Sequence, residues 1–173
     1  QLNHPSVVGL SEYQIIHSPD AGSSKSVAYG VMDLCSKGEL FDYVVANWGL
    51  SEPEARKIFK QILDGIDYLH RNGMYHRDLK MENIFLDDHM ISKICDFGFA
   101  TTQKVHPAFW GFGNPKVGTA AYACPELYEN KAYSSEKQDI FSLGRMLHMM
   151  ITCEHPWMKP SLLEDEGFHT FVN

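Results

Sequence analysis

The segment 76–98, HRDLKMENIFLDDHMISKICDFG, constrains the fold of this chain more than any other part of the sequence. Two short apolar runs, IFL and ISKI, flank a turn-forming pair of aspartates, which predicts a small β hairpin. Asp78 and Asn83 stand just before the first run, and Asp96 stands just after the second. Because a hairpin brings its two ends together, the sequence predicts that these three side chains surround one cleft.

The residue types in this cleft suit the transfer of a phosphoryl group. Asp78 carries a carboxylate that can orient a hydroxyl nucleophile. Asn83 and Asp96 offer the hard oxygen ligands that Mg²⁺ prefers. Lys80 follows Asp78 by two residues, and its ammonium group can stabilise negative charge on the transferred group. A lone Asp or Asn in a loop is more often a turn former, so the prediction rests on the whole pattern.

Two segments carry the pattern of long helices. Ser51 is expected to cap the first, with Glu54 three residues later completing a capping box. An apolar stripe then recurs at helical spacing as far as Leu69, and Gly73 ends the helix. The second helix is expected over 135–152, and it is apolar around most of its circumference, which predicts a buried central helix.

Shorter elements complete the expected organisation. The apolar run 27–35 predicts a strand, and 39–46 predicts a short helix after a turn. The Gly-, Pro- and aromatic-rich segment 101–119 predicts a long loop. A last short helix is expected near the C-terminus. Asp139, near the start of the second long helix, should accept hydrogen bonds from nearby backbone because burying it unpaired is costly.

The composition argues against several classes of protein. The chain has 173 residues, of which 44% are hydrophobic and 21% charged, as in an ordinary globular domain. A net charge of −7 without a basic run argues against nucleic-acid binding. No apolar stretch approaches the roughly 20 residues that span a bilayer. The four scattered cysteines predict free thiols in a reducing compartment, hence a cytoplasmic, intracellular protein.

Several motifs, taken in order along the chain, resemble those of eukaryotic Ser/Thr protein kinases. They are HRDLKMEN at 76–83, DFG at 96–98, GT at 118–119, CPE at 124–126 and DIFSLG at 139–144. The lysine two residues after Asp78 is the Ser/Thr pattern. The segment GELFDYV, together with HRDLKMEN, resembles the calcium/calmodulin-dependent and AMP-activated branch.

The resemblance implies an α+β fold that is mainly α-helical with short β hairpins. It is similar to the larger lobe of a protein kinase with part of the smaller lobe's sheet. Residues 1–35 would be remnant strands of the smaller lobe and the hinge. Residues 36–173 would be the helical lobe, truncated at its C-terminal end.

The resemblance also implies roles for the cleft residues, with ATP and Mg²⁺ as cofactors. Asp78 would be the catalytic base, Lys80 would contact the phosphate, and Asn83 and Asp96 would hold the metal. His76 would be structural and would pack against Phe97.

A nucleotide pocket follows from the same resemblance. Backbone groups of Asp33 and Cys35 would hydrogen-bond adenine. Met32 would line the back of an apolar slot and Phe85 its floor, as a flat aromatic ligand requires.

Two acidic residues match family carboxylates outside the metal site. Glu39 matches one that contacts the ribose or a basic substrate residue, and Glu82 matches one that faces the peptide. We therefore expect a protein substrate in which the Ser or Thr is preceded by arginine. A regulatory protein is a further possible partner.

The sequence departs from the family in the parts that clamp ATP. The 173 residues contain no G-x-G-x-x-G-x-V, no V-A-I-K lysine and no glutamate helix before them. We expect these residues alone to bind ATP weakly and to turn over negligibly.

The activation loop departs as well. Pro115 stands where many relatives carry a phosphorylated residue, and 103–117 contains no Ser, Thr or Tyr. Arg77 would therefore be available without a phosphate to bind. The loop would be ordered by a partner or by packing of its aromatic residues, Phe109, Trp110 and Phe112.

Two other functions stay open on the sequence. A non-catalytic kinase-like scaffold would use the lobe to bind proteins, but it need not keep Asp78, Lys80, Asn83 and Asp96. A small-molecule phosphotransferase of related fold would not need the peptide-seating segment 118–126.

Overall fold

A computed structural model describes residues 2–17, 26–106, 118–129, 131–158, 160–161 and 165–172. In chain order the elements are β1 Leu10–His17, β2 Ser26–Met32, β3 Gly38–Glu39, α1 Leu40–Ala46, α2 Glu52–Arg71, β4 Ile84–Leu86, β5 Ser92–Ile94, β6 Val105–His106, α3 Pro125–Tyr128, β7 Tyr133–Ser134, α4 Ser135–Thr152 and α5 Glu166–Val172. Single 3₁₀ turns span Met81–Asn83 and Ala120–Tyr122. The helices and small antiparallel sheets confirm the predicted α+β class.

The core lies where α1, α2 and α4 meet the β4–β5 hairpin. The apolar stripe of α2 turns inward as predicted, and Ile62 and Leu69 have no exposed surface. Leu63 belongs to the same stripe but is 41% exposed. Full burial of an aliphatic side chain, as for Ile62 and Leu69, stabilises the fold by about 1.5–3 kcal/mol. These contacts fix the hairpin against α2, and the hairpin carries the predicted cleft.

The start of α2 differs from the prediction in one detail. Ser51 is the N-cap residue, but its side chain makes no capping hydrogen bond. The Glu54 carboxylate instead accepts a hydrogen bond from the Tyr43 hydroxyl at 2.6 Å. The predicted capping box is therefore wrong, because a phenol of α1 binds the carboxylate that would have completed it. The predicted end is confirmed, since Gly73 has φ +69° just beyond the helix.

Helix α4 has the predicted bounds but a different buried face. Its buried residues include the polar Gln138, Ser142 and Arg145, whereas Ile140 is 55% exposed. Gln138 accepts a hydrogen bond from the Cys124 N–H at 2.6 Å, and the Ser142 hydroxyl donates to a backbone carbonyl at 2.8 Å. The inward face is polar because it supplies partners for the backbone of the segment 119–124.

The predicted hairpin is confirmed. Strands β4 and β5 pair antiparallel, with Ile84 opposite Ile94, and β3 adds to the other edge of β4. A second hairpin joins β2 to β1, a strand that the sequence analysis missed. The strand expected over 27–35 ends earlier, at Met32, and all seven residues of β2 are exposed.

The segment expected to be one long loop contains a strand. Val105–His106 pairs with Tyr133–Ser134 ahead of α4. The three aromatic residues expected to order the loop, Phe109, Trp110 and Phe112, lie outside the described residues. The short helix expected near the C-terminus is present as α5. Within the described ranges, no helix is long and apolar enough to cross a membrane.

Candidate active site

Asp139 of α4 binds the backbone of the segment that contains His76 and Arg77. Its carboxylate is fully buried and accepts hydrogen bonds from the His76 N–H at 2.9 Å and the Arg77 N–H at 2.7 Å. The His70 ring lies 2.8 Å from the same carboxylate. Arg77 has φ +65°, a strained conformation that these bonds hold in place. The expectation that Asp139 accepts backbone hydrogen bonds is confirmed.

Hydrogen-bond donors surround the Asp78 carboxylate. Asp78 is 4% exposed, and one of its oxygens accepts from the Thr119 N–H at 2.8 Å and the Thr119 hydroxyl at 3.0 Å. The other oxygen lies 3.2 Å from the Lys80 ammonium and 3.3 Å from the Asn83 amide nitrogen. Three residues, Thr119, Lys80 and Asn83, thus contact one carboxylate through four donor groups, as a group that must hold a fixed orientation requires.

Thr119 belongs to the Gly-Thr motif noted in the sequence, but its contact with Asp78 was not predicted. Its hydroxyl accepts a hydrogen bond from Lys80 at 3.0 Å, so it joins Lys80 to Asp78. The preceding Gly118 has φ +77°, and a Cβ there would lie 2.6 Å from the Arg77 carbonyl oxygen. Only glycine allows this close approach. The Gly-Thr pair was visible in the sequence, but its contact with the catalytic loop was not.

Asn83 and Asp96 offer oxygen ligands from neighbouring segments. The Asn83 amide nitrogen donates to the Asp78 carbonyl at 2.8 Å, which leaves the amide oxygen for a cation. The Cys95 N–H donates to the Asn83 carbonyl at 2.9 Å, so the two segments are joined directly beside Asp96. Asp96 is exposed at φ +58°, and one carboxylate oxygen accepts from the Gly98 N–H at 3.1 Å. One amide and one carboxylate fit Mg²⁺, which usually keeps several waters.

Acidic, thiol and imidazole side chains alone do not mark a metal site among the described residues. In the part of the chain that the structure describes, no three His, Cys, Asp or Glu side chains cluster as a metal site. The donor set here includes an amide oxygen, and Mg²⁺ is commonly bound by one or two carboxylates plus substrate phosphates.

His76 links the catalytic loop to the DFG segment. Its Nε2 lies 2.9 Å from the Cys95 carbonyl oxygen, and its ring centroid lies 5.1 Å from that of Phe97. The predicted packing of His76 on Phe97 is confirmed.

Asp33, the first residue after β2, connects this part of the chain to Gly9 and Lys93. Its carboxylate accepts from the Gly9 N–H at 3.0 Å and lies 3.3 Å from the Lys93 ammonium. The Gly9 bond, assisted by Lys93, holds the pKa of Asp33 below its ordinary value despite some desolvation. The Asp33 N–H donates to the Gly9 carbonyl at 3.1 Å, and the Cys35 thiol lies 4.0 Å from the Asp33 carbonyl oxygen.

The residues expected around adenine differ in their exposure to solvent. Met32 is 57% exposed, whereas Phe85 is half-buried on β4. The Cys35 carbonyl accepts from the Gly38 N–H at 3.2 Å.

All four cysteines are free, as expected, and burial raises the pKa of the Cys95 thiol to about 12. A thiol of this pKa is protonated at neutral pH, so it adds apolar surface rather than a nucleophile.

The two acidic residues predicted near the substrate have different surroundings. Glu39 is half-buried at the start of α1, opposite Phe85 in the sheet. Glu82 has one carboxylate oxygen buried, with no hydrogen-bond partner among the described residues. Burial first, and then the Glu82 charge, raise the pKa of Tyr122 to about 12. The Glu82 carboxylate therefore lies close enough to Tyr122 to act on its hydroxyl, whereas its position facing a peptide stays a prediction.

Arg77 is not free. Its Nε donates to the Phe99 carbonyl at 2.8 Å, and its Nη1 donates to the Tyr133 hydroxyl at 3.2 Å. The same nitrogen lies 3.4 Å from His106, whose ring stacks on Tyr133 at 5.0 Å. Strands β6 and β7 bring the side chains of His106 and Tyr133 to Arg77, and its availability to a phosphate stays a prediction.

The comparisons with known proteins agree with this arrangement. Residues 1–170 match the family model described as a protein kinase domain. Serine/threonine-protein kinase SIK1 of Rattus norvegicus is 39% identical over 164 residues, which are 93% of this chain and 19% of that protein. SIK2 of Gallus gallus is 38% identical over 164 residues, again 93% of this chain and 19% of that protein.

A third relative is similar over almost the whole chain. Probable serine/threonine-protein kinase MARK-B of Dictyostelium discoideum is 37% identical over 167 residues, which are 96% of this chain and 22% of that protein. The chain thus spans about a fifth of the length of the curated relatives it matches. The resemblance stated from the motifs is confirmed.

Proposed function

The chain belongs to the protein kinase domain family, and from this premise we propose that it forms the catalytic-loop lobe of a Ser/Thr protein kinase. The protein would transfer the γ-phosphoryl group of ATP to a Ser or Thr hydroxyl of a protein substrate. We propose that residues 1–35 belong to the smaller lobe and hinge, and residues 36–173 to the larger lobe.

The observation that carries this proposal is the contact of Asp78 with both Lys80 and Thr119. In the proposed reaction, Asp78 orients the substrate hydroxyl and accepts its proton. The hydroxyl oxygen bonds to the γ-phosphorus while the bond from phosphorus to the β–γ bridging oxygen breaks, and ADP leaves. Lys80 is 21% exposed in its side chain, so its ammonium can reach the transferred group while it stays near Asp78.

Asn83 and Asp96 are the residues proposed to hold Mg²⁺. When bound, the metal neutralises charge on the nucleotide phosphates. The Asn83 oxygen and the exposed Asp96 carboxylate lie on segments joined through Cys95, so one cation could use both.

The nucleotide is proposed to bind along the hinge. The Asp33 carbonyl and the Cys35 N–H would meet adenine, with Met32 behind it and Phe85 beneath it. The 173 residues contain no Gly-rich phosphate loop and no V-A-I-K lysine, so these residues by themselves are proposed to bind ATP weakly and to turn over negligibly. The ion pair of that lysine is required for activity in the family.

Glu39 and Glu82 are proposed to favour a protein substrate with arginine before the phosphoacceptor. An intracellular location is also proposed, because the four scattered cysteines are free thiols, and a regulatory protein is proposed as a further partner.

The proposal is tested with the complete protein, Mg²⁺, ATP and a mixed library of peptides containing Ser, Thr or Tyr. We expect phosphate on Ser and Thr, none on Tyr, and no transfer when EDTA removes the metal. Transfer to Tyr alone or to a small-molecule acceptor alone would contradict the proposed substrate class. Binding of protein partners without any transfer would favour the scaffold function instead.

A further inference from the structure

Arg145 is the largest side chain buried completely among the described residues, and no step of the proposed reaction uses it. A buried guanidinium is costly unless hydrogen bonds and other contacts compensate it. One Arg145 nitrogen lies 2.7 Å from the His155 ring, and another donates to the Trp157 carbonyl. Its Nε has no partner in the part of the chain that the structure describes. So large a cost inside α4 calls for a role that an apolar residue could not fill.

The Arg145 guanidinium packs against Tyr122 in the 3₁₀ turn Ala120–Tyr122. Its central carbon lies 5.0 Å from the centroid of the Tyr122 ring and 5.3 Å from that of the Trp157 ring. The Trp157 indole N–H in turn donates to the Ala121 carbonyl at 3.2 Å. Cation–π contacts of this kind strengthen when both partners are desolvated, as they are here. Arg145 and Trp157 thus hold the same turn from two directions.

The turn continues directly into the catalytic centre. The Tyr122 N–H donates to the Thr119 carbonyl at 2.9 Å. Thr119 in turn donates twice to Asp78 and accepts from Lys80. An unbroken series of contacts therefore leads from Arg145 through Tyr122 and Thr119 to the proposed base.

We propose that Arg145 is a positioning residue for the protein substrate. Its planar cation fixes Tyr122, and Tyr122 fixes Thr119 against Asp78, where the phosphoacceptor hydroxyl must align. This inference rests on the proposed function. The nucleotide side of the site depends on other contacts, because Asp33 is held by Gly9 and Lys93. Loss of Arg145 should therefore affect peptide use and leave ATP binding almost unchanged.

The test compares Arg145→Met, which keeps the volume, with Arg145→Lys, which keeps the charge but not the planar fork. Arg56→Met is the matched control, since Arg56 lies on α2 with its side chain 76% exposed. Steady-state kinetics of the complete protein give kcat and the KM values for a Ser/Thr peptide and for ATP. Thermal unfolding reports whether each variant is folded at the assay temperature.

We expect Arg145→Met to lower kcat/KM for the peptide by about ten- to a hundredfold, the scale of loss from a displacement near 1 Å. The KM for ATP should stay within about twofold, a change too small to signal a lost contact. Arg145→Lys should lie between Arg145→Met and the wild type, and Arg56→Met should match the wild type. A merely structural role would change the peptide and ATP parameters together.

Peptide kinetics of folded Arg145→Met equal to those of the wild type would overturn the inference. Equal loss for peptide and ATP would overturn it as well. If Arg145→Met does not fold, Arg145→Lys and Trp157→Phe decide, because Trp157→Phe removes the bond to Ala121, reduces the ring beside the guanidinium and should weaken peptide use in the same direction. A wild type without any transfer would contradict the proposed function, whereas an active wild type with unaffected variants contradicts only the role of Arg145.

Discussion

Replacing Asp139 with alanine should destabilise the protein, because the segment with His76 and Arg77 loses the carboxylate that binds its backbone. The carboxylate is fully buried and accepts the N–H groups of His76 and Arg77, at 2.9 and 2.7 Å. In the alanine variant both N–H groups lose their acceptor inside the protein. The ring of His70, 13% exposed in its side chain, loses its partner as well.

The expected magnitude follows from these three groups. Each buried donor left without an acceptor costs about 1–3 kcal/mol, and the partly accessible His70 bond adds about 1 kcal/mol. The free energy of unfolding should therefore fall by about 3–7 kcal/mol, a large part of the 5–15 kcal/mol typical of a domain. Asp139→Asn keeps one acceptor oxygen and should lose roughly half as much.

Urea unfolding followed by circular dichroism measures the loss through the shift of the midpoint at constant m-value. Asp88→Ala is the matched control, because the Asp88 side chain is 70% exposed in a turn and should change stability by no more than about 0.5 kcal/mol. A loss below about 1 kcal/mol for Asp139→Ala would refute the reasoning, since it would mean that the loop does not depend on this carboxylate.

The remaining predictions concern helix caps and pH. Ser134→Ala should cost about 1 kcal/mol of unfolding free energy because its hydroxyl caps the Lys137 N–H, whereas Ser51→Ala should cost less because that side chain caps nothing. Thermal melts of the two variants side by side make this comparison, and equal losses would contradict it. Burial, followed by the charge of Arg77, lowers the pKa of His106, so the unfolded chain binds a proton that the folded chain resists. Stability should therefore fall as pH drops below the ordinary histidine value of about 6.5, and His106→Gln should reduce this fall. A pH–stability curve that His106→Gln leaves unchanged would show that His106 contributes nothing to it.

The residues proposed to be catalytic could be recognised from the sequence because they lie close together along the chain. Asp78, Lys80, Asn83 and Asp96 fall in one segment whose spacing carries the pattern. The bounds of α4 were predictable for a similar reason, since its apolar periodicity is local. The structure adds Ser134 as its N-cap.

The contacts that sequence analysis missed join distant segments. The Tyr43 hydroxyl of α1 donates to the Glu54 carboxylate, and no local sequence pattern predicts that Tyr43 would replace the expected capping contact. His106 reaches Tyr133 only because β6 and β7 pair across the intervening chain. The polar inward face of α4 likewise depends on the backbone it meets, which helical periodicity cannot specify.

Several expectations stay predictions. They are the cytoplasmic location, the regulatory protein partner, the absence of nucleic-acid binding, and the preference for an upstream arginine through Glu39 and Glu82. The substrate preference is the easiest to approach, because Glu82→Gln should weaken discrimination between peptides with and without that arginine.

Phosphoryl transfer by an Asp78→Asn variant of the complete protein tests the central claim most directly. Asparagine keeps the shape of the side chain and an oxygen for Thr119, but it cannot accept the substrate proton. We expect the rate with saturating Mg²⁺ and ATP to fall by about 10²–10⁴-fold, the contribution of a positioned base, while ATP binding persists. Asp88→Asn, an exposed change in the same hairpin, should leave the rate unaltered. Transfer by Asp78→Asn at the wild-type rate would contradict the account.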